Sequence, residues 1–153
     1  MTEAVVRPAG AADLAAIARL RREQAAEQQG EHGDAGFEDR FTAWSGRESA
    51  RRITWLAEVD ERLVGMMNLA IFERMPRPGR ETGRWGYLGN AYVLAAYRNQ
   101  GIGRQLLDAV LSHAAGNGFA RVVLSPSERS VPFYQRAGFG PADTLLLWTP
   151  PGG

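Results

Sequence analysis

The sequence predicts a single α/β domain over residues 1–153, with a mixed, strongly twisted sheet of six or seven strands flanked by about four helices. Three observations carry that prediction. The length of 153 residues suits one domain. A hydrophobic content of 44% with 23% charged residues is that of a globular chain rather than a disordered one. Finally, apolar residues recur with a period near two in some segments and near 3.6 in others, and the two kinds of segment are interleaved.

Taken in order, Val5 and Val6 make a short first strand. Asp13 stands where a helix would be N-capped, ahead of Leu14, Ile17, Ala18 and Leu20 on one face, and that helix runs to about Gln28. Three glycines between Gly30 and Gly36 separate it from a second helix, on which Phe37, Phe41 and Trp44 recur at i, i+4 and i+7. Ile53, Trp55, Ala57 and Val59 alternate, Asp60-Glu61 is a turn, and Leu63 to Phe72 is a longer apolar run, which together read as a β-hairpin. Glu73 to Arg84 holds Pro76, Pro78, Gly79 and Gly83 and reads as a long loop. Its Arg74, Arg77, Arg80 and Arg84 are diluted by Glu73 and Glu81 and read as solvated. Tyr87 to Leu94 is the next strand. A helix follows with Ile102, Leu106, Leu107, Val110, Leu111 and Ala114 on one face, ending at Asn117-Gly118. Val122 to Leu124 is a strand, a short helix with Pro132 in its first turn stops at Gly138, and Leu145 to Trp148 is expected as the closing strand.

Composition removes several functions. The chain has 18 basic and 17 acidic residues, a net charge of +1, so no general electrostatic grip on nucleic acid or on an anionic membrane is expected. No apolar stretch of signal-peptide length lies in Met1 to Arg7, and no run is long enough to span a bilayer, which leads us to expect a cytoplasmic protein. There is no cysteine, hence no disulfide, thiolate metal site or cysteine nucleophile. Every basic residue is arginine, so neither a phosphate-binding Gly-Lys-Ser/Thr loop nor a lysine Schiff base can form. His32 and His113 are the two histidines and lack the spacing of a zinc-binding helix, and no metal is expected.

The informative segment is the strand, turn and helix from Tyr87 to Leu107. Gly101 and Gly103 remove Cβ atoms where the chain turns into a helix, so that the backbone N–H groups of Gln100, Gly101, Ile102, Gly103 and Arg104 can converge on one diphosphate. Arg98 and Arg104 flank the turn with full charges. A bare strand-to-helix connection is the alternative. A dinucleotide site fits less well, because its fingerprint needs a third glycine where Leu106 stands.

Tyr92-Val93-Leu94-Ala95-Ala96-Tyr97-Arg98-Asn99-Gln100-Gly101-Ile102-Gly103-Arg104-Gln105-Leu106-Leu107 resembles the fourth strand, pyrophosphate loop and third helix of the GNAT acetyltransferases, whose signature is Arg/Gln-x-x-Gly-x-Gly/Ala. Pro132-Phe133-Tyr134-Gln135-Arg136-Ala137-Gly138-Phe139 resembles that family's late helix and the start of its sixth strand. The order of elements is similar across nearly the whole chain. This resemblance implies a sheet splayed between strands 4 and 5, with the pantetheine arm of acetyl-CoA against the backbone of Ala91, Tyr92 and Val93, and the diphosphate held by Arg98, Asn99, Gln100, Gly101, Ile102, Gly103 and Arg104. It implies acetyl transfer from acetyl-CoA to a primary amine, on a small molecule or a peptide, by direct attack in a ternary complex. A silent CoA-binding or sensor module and use of another acyl-CoA are the alternatives. Tyr134 occupies the family's position for the donor to the departing thiolate, a role that a neutral phenol suits. Ser127 falls where many relatives carry a cofactor-contacting asparagine, although turn formation is its ordinary job. A general base is less well marked. Glu73 could accept a proton and Asn90 could orient an amine or water, while Glu23, Glu27 and His32 lie in segments that border acceptor sites in the family. Homodimers are frequent in that family, and no residue of the sequence marks an interface.

Overall fold

The computed structural model describes residues 3–152, so that Met1, Thr2 and Gly153 of the expected single domain lie outside the described residues. Its elements are β1 (Val5–Pro8), α1 (Leu14–Gln29), α2 (Phe37–Glu48), β2 (Arg52–Val59), β3 (Arg62–Glu73), β4 (Arg84–Val93), α3 (Ile102–Gly116), β5 (Phe119–Leu124) and α4 (Val131–Arg136). The five strands form one sheet in sequence order, antiparallel from β1 to β4 and parallel between β4 and β5.

The β2–β3 hairpin turns through Asp60 and Glu61, both with positive φ (49° and 64°), a turn whose twist matches that of the flanking strands. From Leu63 to Ala70 every residue of β3 is buried. Such a run needs cover on both faces. On one face Leu56, Leu63 and Met66 pack with Ile17 and Leu20 of α1. On the other, Trp55, Ala57, Val64, Met67 and Leu69 meet Ile102, Leu106, Leu107 and Val110 of α3, together with Tyr134 of α4. Ile102, Leu106, Leu107 and Val110 are almost wholly removed from solvent, and each contributes on the order of 1.5–3 kcal/mol of burial.

At the start of the fold a short 3-10 turn, Ala11–Asp13, precedes α1. Asp13 does not cap α1 through its side chain. It accepts from the Gly10 N–H at 2.7 Å and from both terminal nitrogens of Arg7 at 2.8 Å, and Arg7 also reaches Glu58 at 2.6 Å. This cluster ties β1, the start of α1 and β2 together.

Two features depart from expectation. The sheet has five strands among the described residues, not six or seven, because Leu145 to Trp148 forms no ladder and pairs with nothing. Apolar alternation marks a segment able to be a strand, but an edge must lie within reach for it to become one. Second, β4 carries a bulge. Tyr92 faces Met66 and Gly89 faces Asn68, so that β4 spends three steps where β3 spends two, and Asn90 takes up the extra residue with φ of 52°.

Candidate active site

The bulge positions the site. β4 and β5 pair from Arg84–Phe119 to Leu88–Leu124, and there the ladder stops, whereas β4 continues to Val93. The bulge at Asn90 follows within two residues, where the β4–β5 ladder has already ended. Ala91, Tyr92 and Val93 therefore have no ladder partner on the β5 side, and apart from the Val93 carbonyl, which the Arg98 side chain holds, backbone groups facing that side need partners.

Beyond β4, a 3-10 turn (Ala95–Tyr97) leads into the glycine turn, where Asn99 and Gly101 both have positive φ, 62° and 84°. That conformation costs glycine little and asparagine less than most residues. It brings the chain straight into α3, and Gly101 serves as the N-cap residue. The first internal bond of the helix runs from the Gln105 N–H to the Gly101 carbonyl at 3.0 Å. The N–H groups of Ile102, Gly103 and Arg104 are therefore unused within α3 and point out of its positive end. A Cβ on Gly103 would stand 3.6 Å from the Phe133 ring, so the turn passes close to α4 as well.

These parts enclose a cleft of about 510 Å³. Ala91, Tyr92, Val93, Arg98, Asn99, Gly101, Ile102, Gly103, Arg104 and Tyr134 line it. Tyr134 is buried, and burial pushes its phenol above the usual value, so that it stays neutral and able to donate at any working pH. Its ring is held edge-on between Phe133 (5.0 Å between centroids) and Phe139 (5.6 Å).

Both flanking arginines are engaged. Arg98 donates to the Val93 carbonyl at 2.9 Å and to Glu27 at 2.6 Å, and lies over the Tyr92 ring. Arg104 donates to Asp108 at 2.9 Å and to the Arg136 carbonyl at 3.3 Å. They brace the turn against α1 and α4 while their charge stays beside the cleft. The Arg98 guanidinium holds the Glu27 carboxyl below its usual range, which makes Glu27 an ionised anchor and a poor base. Burial, and then the Glu27 carboxylate, push the Tyr92 phenol up to about 12.

Seven expected residues, Glu27 among them, stand outside the cleft. Glu73 pairs with Arg84 at the far end of β3, seven residues from the Met66 level and so roughly 20 Å along the strand. Asn90 sits in the bulge with an exposed side chain. Gln100 is exposed and donates to the Ala96 carbonyl at 3.4 Å. Ser127 opens the turn before α4 and donates to Ser130 at 3.0 Å; it is Ser130 that lines the cleft. Glu23 and His32 are exposed, and His32 rests against the Gln29 carbonyl. Met67, Tyr97, Ser130, Phe133 and Arg136 also line the cleft without having been singled out. Of these, Phe133 and Arg136 sit in the same short helix as Tyr134 and could have been read from it.

The cleft thus brings together an unpaired strand edge, the N-terminus of a helix and a neutral phenol. The chain belongs to the GNAT acetyltransferase family, whose sequence profile matches residues 17–139. Among named relatives, a glucosamine 6-phosphate N-acetyltransferase of Trypanosoma brucei brucei is 33% identical over 78 residues, 51% of this chain and 51% of that one. The chain thus spans about half the length of that relative. A GCN5-related N-acetyltransferase from Ralstonia eutropha JMP134 superposes with a TM-score of 0.75 at 26% identity, covering 99% of this chain and 100% of that one. A predicted acetyltransferase with acetyl-CoA from Clostridium acetobutylicum gives a TM-score of 0.76 over 96% of each chain, and its 22% identity speaks to the fold alone.

Proposed function

We propose that this chain transfers an acetyl group from acetyl-CoA to a primary amine by direct attack in a ternary complex. The observation that carries the proposal is the convergence on one cleft of the free β4 edge at Ala91–Val93, the unused N–H groups that open α3, and the Tyr134 phenol. Acetyl-CoA supplies an activated thioester carbonyl and a stable thiolate leaving group. The β4 edge offers donors and acceptors to the two amides of a pantetheine arm. The N–H groups of Ile102, Gly103 and Arg104, with the charge of Arg98 and Arg104 alongside, suit a diphosphate. Tyr134 holds its proton where the departing sulfur would lie and can give it up as negative charge develops.

No carboxylate or imidazole lines the cleft among the described residues. The proton of the attacking ammonium is therefore passed to water, and the amine that reacts is the fraction already neutral at the working pH. This makes Glu73 a poor choice of base, and leaves Asn90 to orient a water at most. The named relatives make an amino sugar phosphate the first acceptor to try, followed by aminoglycosides, polyamines and peptide N-termini. The test is release of free thiol from acetyl-CoA with that panel. Acetylation of at least one amine is expected. Tight CoA binding with no turnover on any of them would instead make the protein a CoA-binding module.

A further inference from the structure

The two faces of the sheet are covered differently around the end of the β4–β5 ladder. Leu88 of β4 and Phe119, Val122 and Leu124 of β5 pack toward α3 and Tyr134. On the opposite face α1 covers the other end of the sheet, through Leu56, Leu63 and Met66. Met66 stands opposite Tyr92, whereas Phe72 stands opposite Trp85, six residues and roughly 20 Å further along β3. At that lower level side chains remain open to solvent: Phe72 is 45% and Tyr87 38% exposed. Gly89, between Tyr87 and the bulge, adds no side chain of its own, and a Cβ there would stand 3.9 Å from the Tyr87 ring.

Two arrangements stand on this open face. Where the ladder ends, the Tyr87 phenol donates to the Ser125 hydroxyl at 2.8 Å, from one strand to the other. Two residues back along β4, the Trp85 ring stacks on Phe72 of β3 at 4.6 Å and carries the Arg121 guanidinium of β5 at 5.4 Å from its centroid. An aromatic platform fixes a guanidinium while leaving its in-plane N–H groups free for an anion. Arg52, on the same sheet, is spent on Glu48 at 2.7 Å and on Asn68 at 2.8 Å. Arg121 pairs with no carboxylate among the described residues. Given the acetyl transfer proposed above, on which this inference rests, a pantetheine arm along Ala91–Val93 brings the thioester to the point where the Leu88–Leu124 rung closes the ladder. With Tyr134 and α3 packed on one face, the amine approaches from the other, over Tyr87 and Ser125. We propose that Arg121 selects the acceptor: a primary amine that also carries a phosphate or a carboxylate, lying along Tyr87 with its anion on the free N–H fork of Arg121. Tyr87 and Trp85 are two residues apart on one strand, so the amine and the anion of a good acceptor are separated by roughly 7–10 Å.

The test pairs each anionic amine with a neutral counterpart: glucosamine 6-phosphate with glucosamine, and δ-aminovalerate with pentylamine, all with saturating acetyl-CoA. Wild type should favour the anionic member of at least one pair by roughly 10–100-fold in kcat/KM, the range of one charge-assisted hydrogen bond, with most of the difference in KM. The two pairs tell phosphate from carboxylate. Arg121→Gln should bring the ratio within a pair close to unity, and Arg121→Lys, which keeps the charge but not the planar fork, should recover part of it. Arg121 is exposed, so both variants should fold, which melting temperature checks. Calorimetry of the same amines on the CoA-loaded protein reads the site without turnover. Failure to acetylate any amine would sink the acetyl-transfer reading, yet binding of glucosamine 6-phosphate or δ-aminovalerate that Arg121→Gln abolishes would still support the anion site. Equal use of charged and neutral members by wild type, a preference that survives Arg121→Gln, or neither turnover nor binding of the two anionic amines would overturn the proposal.

Discussion

Tyr134 and Gly103 show what a single residue can and cannot disclose. Both lie in segments whose neighbours were legible, and the fold brings them to one cleft. Ser127, seven residues from Tyr134 in sequence, was read with the same logic and ends outside the cleft, because the turn it opens presents Ser130 instead. For Tyr134→Phe, the ring keeps its packing on Phe133 and Phe139 and only the phenol oxygen goes. Turnover should fall at least ~10-fold, toward the ~100-fold that loss of a proton donor costs, with CoA affinity and melting temperature nearly unchanged. The deficit should shrink with a thioester of a more acidic thiol, whose departure needs less help. Unaltered single-turnover rates would make Tyr134 a packing residue. For Gly103→Asp, the backbone has room for a Cβ at 3.6 Å from Phe133, so the protein should fold. Its carboxylate would stand at the mouth of the N–H cradle and repel the diphosphate, weakening CoA binding by ~10-fold or more in calorimetry. Gly103→Ala, which adds bulk without charge, should lose far less. Equal losses in the two variants would point to sterics rather than to an anion site.

Elements were legible where their pattern is local and illegible where it depends on a partner. The hairpin from β2 to β3 and the apolar face of α3 follow from periodicity within one segment, and both stand where expected. The bulge at Asn90 is a mismatch between two strands, which no single strand announces, and it falls just past the end of the β4–β5 ladder. Likewise Leu145–Trp148 has the composition of a strand without a neighbour in its own chain. The start of α1 gives a prediction at this scale. Contacts with Arg7, and then with the Gly10 N–H, hold the Asp13 carboxyl at about 2, below its value in an unfolded chain. A folded-state value that is lowered contributes stability above the unfolded value and loses it as pH falls through the folded one. Asp13→Asn should therefore lower the melting temperature at pH 7 by roughly 2–4 °C, as befits about 1 kcal/mol with Arg7 partly exposed. Wild type and variant should converge as pH drops from about 4 to about 2. A gap independent of pH would mean that the hydrogen bonds, and not the charge, hold β1 to α1.

Over the whole molecule, the order of elements was legible because it is one-dimensional, while the number of strands in the sheet was not, because it is decided by which edges meet. The balance of charge belongs to this scale too. Arginine is the only cation, and much of it is spent internally: Arg7, Arg22, Arg40, Arg51, Arg52, Arg98 and Arg104 each pair with a carboxylate. Each such pair is locally near neutral, and the whole chain carries only +1. Duplex DNA binds proteins chiefly by release of counterions to a basic stripe, and the densest group of arginines outside these pairs is Arg74, Arg77 and Arg80 in the loop between β3 and β4, diluted there by Glu73 and Glu81. Three phosphate contacts support at most a weak complex at physiological salt, with a log-log salt slope near −3. Filter retention with labelled duplex should accordingly be negligible at physiological salt. Acetyl-CoA, which needs only the local N–H cradle and its two braced arginines, should bind under the same conditions. A tight DNA complex with a steep salt slope would show that arginines paired in the free protein are released to phosphate, and the charge map drawn from their ion pairs would then fail.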